Sequence, residues 1–170
     1  VFHPVKIRLC QPGDVDWEED GSAVCGFDIA ETEGRDRLVR MEARLSPIHL
    51  DRQLEGVAEF SFSLICLSFD GSELDFETQD RDLAIGYIPT ECRQLVMPAV
   101  SRCARILIGT WRPSHLYRVV KTINPPPQAL RKHELLTSVF KSIGYEVSSR
   151  ATDPLGRRLI TMSDKARVSA

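Results

Sequence analysis

The residues able to act as nucleophiles or metal ligands are five cysteines and four histidines. Cys10, Cys25, Cys66, Cys92 and Cys103 are odd in number, widely spaced and free of any C-x-x-C pair, so their spacing points to neither a disulfide framework nor a zinc knuckle. Most lie among apolar neighbours, where a free thiol packs as a small core side chain. The expectation is buried, unpaired thiols in a reducing cytoplasm. His3, His49, His115 and His133 show no H-x-x-x-H spacing, and no metal set is expected from them. His133 falls on the apolar stripe of a helical pattern and reads as a satisfied core or boundary histidine. His115 follows Trp111 and Arg112 and precedes Tyr117; that cluster could stack on a base, but it reads first as a packed turn. A cysteine–histidine nucleophile pair would have to meet in space, which keeps an enzyme with dispersed residues as a third class of function. There is no G-x-S-x-G, P-loop or dinucleotide fingerprint, so neither a catalytic residue nor a cofactor is expected. The acidic run Asp14–Asp20 lacks the pattern of a Ca²⁺ loop and reads as a solvated loop.

Two spellings resemble known families. Gln53-Leu54-Glu55-Gly56-Val57-Ala58 fits Q-x-x-G-x-A, which resembles the pyrophosphate loop of acyl-CoA-dependent acetyltransferases. That loop needs a helix N-terminus to hold phosphates, whereas the residues that follow read as a strand and Glu55 and Glu59 would repel them. The second case is a helix bearing Arg131, Lys132 and Lys141 that leads into a hairpin bearing Arg150, Arg157 and Arg158. In element order this resembles the recognition helix and wing of winged-helix DNA binders, and the resemblance implies phosphate contact by these six residues. Against it, a strand and a triple proline precede the helix, and Glu134 lies on its polar face. In the alternative, the helix covers a sheet face and the hairpin extends the sheet edge.

The elements that must position these residues divide by half. Val5–Cys10 and Ala23–Ala30 read as strands, and Leu38–Leu45 alternates with charged residues on its outer face. Gly56–Phe69 is apolar on both faces and is expected to be a central strand. Asp70-Gly71 then turns the chain into a return strand through Leu74 and Phe76. In the second half, Leu95, Val100, Cys103 and Leu107 share helical spacing, with Thr90 as a cap, Pro98 within the pattern and Gly109 as terminator. Leu116–Thr122 reads as a strand. After Asn124 and the prolines, Leu130, His133, Leu136, Phe140 and Ile143 stripe a second helix that Gly144 ends. A hairpin turning at Asp153, Pro154 and Gly156 follows, and residues from Ser163 on read as a mobile tail. The fold class is therefore α+β: one domain over residues 1–170, an antiparallel sheet of about five to seven strands, and two main helices on one face.

The net charge of −2 conceals a division. Residues 1–90 hold 8 Lys/Arg against 19 Asp/Glu, and residues 91–170 hold 14 against 5. Such asymmetry fits a basic surface for an external partner, head-to-tail self-association, or two halves that neutralise each other. The longest apolar stretches are too short to span a bilayer, and VFHPVKIRLC lacks the features of a signal peptide. The sequence therefore leads to a cytoplasmic, non-catalytic interaction or assembly module. It would dock a protein partner or itself through segregated charge, with nucleic-acid binding as the alternative and no membrane role.

Overall fold

Period-two alternation in the first half builds a sheet. The computed structural model describes residues 2–8, 10–48, 56–68, 73–120, 123 and 125–168. Its strands are β1 (Phe2–Pro4), β2 (Asp16–Trp17), β3 (Ala23–Thr32), β4 (Arg37–Pro47), β5 (Val57–Ser68), β6 (Leu74–Thr78), β7 (His115–Val120), β8 (Tyr145–Thr152) and β9 (Arg158–Asp164). The helices are α1 (Arg81–Tyr87), α2 (Arg93–Thr110), α3 (Pro127–Ser142) and the short α4 (Lys165–Val168). The strand order is β1-β3-β4-β5-β7-β9-β8, with β2 against β3 and β6 against β5.

The expected α+β class and the two long helices on one face hold, but the sheet has nine described strands rather than five to seven. It is also mixed. Chain reversals by hairpins give the antiparallel pairs, but α1 and α2 carry the chain back after β6, so β7 pairs parallel with β5. A parallel neighbour requires a crossover of this kind.

The register decides which side is covered. Val39, Met41, Ala43 and Leu45 of β4 oppose Cys66, Leu64, Phe62 and Phe60 of β5. This face packs on Val96, Val100, Cys103, Leu107, Leu136 and Phe140 of α2 and α3. Phe60 meets Phe140 edge to face at 5.2 Å, and Phe140 in turn meets Tyr145 at 6.5 Å. Gly144 follows α3 at φ +103, and its N–H donates to the Lys141 carbonyl, the left-handed stop that its position suggested.

Several local expectations are corrected. The first strand is Phe2–Pro4, not Val5–Cys10; Cys10 is buried without belonging to a strand. Thr90 opens a 3-10 turn (Thr90–Cys92) and caps nothing with its side chain, and α2 runs on through Gly109 to Thr110. Residues 163–168 are structured: the carboxylate of Asp164, 1% exposed, receives two hydrogen bonds from Arg112 at 2.7 and 2.8 Å. Helix α1 carries no expectation from the sequence; Asp80 caps it by accepting from the amides of Asp82 and Leu83. Gln53, Asp70-Gly71, Asn124 and His49 lie outside the described residues.

A candidate anion-binding cleft where the sheet divides

Strand β5 meets β4 along its length, but its other edge is shared. Val57–Glu59 pair with β7, and Leu64–Leu67 pair with β6. Among the described residues, Phe60–Ser63 have no strand neighbour on that edge. Above this gap, on the helix-covered face, lies a cleft of about 170 Å³. Its floor is Phe60, Phe62 and Leu64, one wall is Ile85, Val96 and Met97, and the other is Ala129, Lys132 and His133. Glu59 also borders it, but strand alternation turns that side chain to the opposite face from Phe60.

Alternation on β7 buries Leu116 and Val120 under α3, and the same rule buries the residue between them, Arg118, at 2% exposure. Its side chain lines the cleft. One terminal nitrogen donates to the His133 carbonyl at 3.0 Å, the other to His133 Nδ1 at 2.8 Å, and the group stacks over the Phe140 ring at 5.7 Å. These partners are all neutral. Among the described residues Arg118 has no ion pair, and its Nε is the one buried side-chain nitrogen or oxygen without a hydrogen-bond partner. Glu134 is the nearby acid that favours its charge, yet that carboxylate is held by Arg150. Burial pulls Arg118 down to about 10, so it stays cationic at neutral pH.

An arginine has donors only, so His133 Nδ1 must accept and the ring proton lies on Nε2. Burial, with Arg118 alongside, pulls His133 down to about 4. The imidazole is therefore neutral at pH 7. A neutral, donor-fixed histidine beside a buried cation without a counter-ion is suited to orienting an anion rather than to carrying charge itself.

The six basic residues picked from the sequence fall in different settings. Lys132 stands exposed at the cleft rim. Arg131, Lys141 and Arg158 are exposed. Arg150 is bound to Glu134, and Arg157 to Asp153 at 2.6 Å. Arg150 and Arg158 flank a second depression, of about 260 Å³, that also includes His133. The hairpin extends the sheet edge, and α3 packs beside β8. Gly56 of the Q-x-x-G-x-A spelling precedes β5, with its carbonyl accepting from the His115 amide, so no helix follows it. Trp111 stacks on Trp17 and Arg112 is committed to Asp164, as the packed-turn reading of that cluster requires.

Cys66 lies 3.8 Å from an Asp75 oxygen and Cys92 3.8 Å from the Ile29 carbonyl. Among the described residues no cysteine lines the cleft beside His133. Sequence reasoning missed Arg118, though the signal was there: a charged residue at an inward position of an apolar strand.

His133 also makes stability depend on pH. Its folded value lies below the ordinary 6.5, so the unfolded chain binds the proton first. Its contribution is complete above about 6.5 and is lost as pH falls toward about 4, by at most about 3 kcal/mol. Urea denaturation across this window should show His133→Gln losing less stability on acidification than the parent; identical slopes would contradict the neutral, half-buried imidazole.

Compared with family models, with curated proteins and with solved structures, the chain matches none.

Proposed function

We propose that this domain is a non-catalytic binding module whose ligand is a small organic anion with an apolar body, held in the cleft between β5 and β7. The observation that carries the reading is Arg118: a buried guanidinium with an unpartnered Nε, on a side chain that lines an apolar cavity. A buried donor left unsatisfied costs about 1–3 kcal/mol, and a buried charge without a counter-charge costs more. A carboxylate or phosphate would remove both penalties, since charge-assisted bonds from arginine to such groups are strong. The cavity is slightly larger than the roughly 150 Å³ that accommodates benzene in an engineered protein core, so the buried part of the ligand is about one ring or a short chain. Lys132 at the rim adds positive potential at the mouth.

A second reading keeps the docking role expected from the divided charge. Ion pairs such as Arg44–Glu18, Arg40–Asp28 and Arg37–Asp75 lie within the first half, and Arg112–Asp164, Arg150–Glu134 and Arg157–Asp153 within the second. Pairing within halves leaves the surplus of each sign available for a protein partner or a second copy. The same exposed cations would serve nucleic acid, but Arg150 and Arg157 are already neutralised.

Calorimetry with benzoate, benzyl alcohol and benzylamine tests the first reading. Benzoate should bind about tenfold or more tighter than the alcohol, a difference of about 1.4 kcal/mol; the amine should not bind, and Arg118→Met should erase the preference. Equal affinity for benzoate and the alcohol would reject an anion site. For the second reading, sedimentation should detect self-association at low ionic strength that disappears as salt screens it, and a monomer at every salt concentration would remove self-docking.

A further inference from the structure

Far from one another in sequence, Cys10, Cys25 and Cys103 converge in the core. Cys10 lies between β1 and the 3-10 turn at Pro12–Asp14, Cys25 on β3 and Cys103 on α2. Their sulfurs all lie within 4.8 Å of one another, and the residues are 3%, 2% and 1% exposed. All three remain thiols. We infer that they form a three-sulfur site for a soft d¹⁰ cation, Cu(I).

The geometry sets the choice of ion. A metal at the centre of such a triangle lies no more than about 2.8 Å from each sulfur, and rotamer adjustments of a few tenths of an ångström reach the usual metal–thiolate length of about 2.3 Å. The cluster contains neither histidine nor carboxylate. A structural zinc site needs four protein ligands, and a catalytic one needs an open position for water; this site offers three donors and is closed to solvent. Soft thiolate ligands select Cu(I), which is satisfied by three.

The surroundings help to offset the charge. Arg102 on α2 donates through Nε to the Cys10 carbonyl at 2.7 Å, and its cation favours the Cys103 thiolate. Hydrogen bonds from Cys25 and Cys10 hold Cys103 below the ordinary thiol range; the hydrogen bond to Cys103, then burial, pushes Cys25 up, and burial pushes Cys10 up. Each Cu–S bond formed displaces a thiol proton to the buffer, so affinity rises with pH. No electron transfer is involved, because copper enters and stays as Cu(I).

The test is anaerobic titration of the full chain with Cu(I) against bicinchoninate, with X-ray absorption on the loaded protein. The expected result is one equivalent bound through three sulfurs. Cys25→Ser or Cys103→Ser should weaken it at least a hundredfold, and Cys66→Ser and Cys92→Ser should leave it unchanged. Two findings would overturn the site: copper retained when Cys25 and Cys103 are replaced, or nitrogen or oxygen ligands in the absorption spectrum of the unaltered protein. That spectrum decides the matter even where a serine variant fails to fold. Tighter binding of Zn(II) than of Cu(I) would likewise overturn the three-coordinate assignment.

Discussion

Arg118 places a full positive charge under α3, where the alternation of β7 demands an apolar side chain. Removing a guanidinium from water costs several kcal/mol unless an opposite charge accompanies it. The groups in direct contact with it are neutral: a helix carbonyl, an imidazole nitrogen and an aromatic face. That incomplete compensation organises the surroundings. It fixes the His133 tautomer, ties β7 to the middle of α3, and leaves a donor without a partner on a side chain that lines the cavity.

The cavity exists because of how the chain crosses the sheet. Parallel pairing of β7 with β5 covers three residue pairs and then stops, and β6 takes up the β5 edge only from Leu64 onward. Between them the sheet parts, and α1, α2 and α3 wall the opening. The same α2 that presents Val96 and Met97 to the cleft carries Cys103 two turns further on, against β3 and the N-terminal segment. Two chemically distinct sites, one for an anion and one for a soft cation, thus share a helix without sharing residues.

Much of the fold was legible because binary patterning reports burial. The alternation of Leu38–Leu45, the two-faced apolar run of β5 and the stripe on α3 each became the element expected. Patterning fails where tertiary contacts decide. Asp164 looked like the start of a tail because its partner, Arg112, lies 52 residues away. Helix α1 is a short, partly exposed element whose cap alone marks it. The candidate site was less legible than the fold. The basic residues chosen from the sequence cluster along the chain, whereas the cleft joins β5, β7, α1, α2 and α3. The thiol cluster was equally hidden, since spacings of 15 and 78 residues carry no ligand signature. Arg118 could have been singled out as an ionisable residue at an inward strand position, and that rule is cheap to apply.

Nuclear magnetic resonance of the arginine Nε–H groups tests the central claim most directly, with Arg118→Met used to assign the signal. In the free protein the Arg118 Nε–H lacks an acceptor. On addition of benzoate its proton should move downfield and its exchange with water should slow, while the other arginine signals stay in place. An Arg118 signal unmoved at saturating benzoate, or one already showing a strong hydrogen bond without it, would contradict the assignment of this guanidinium as a waiting anion receptor.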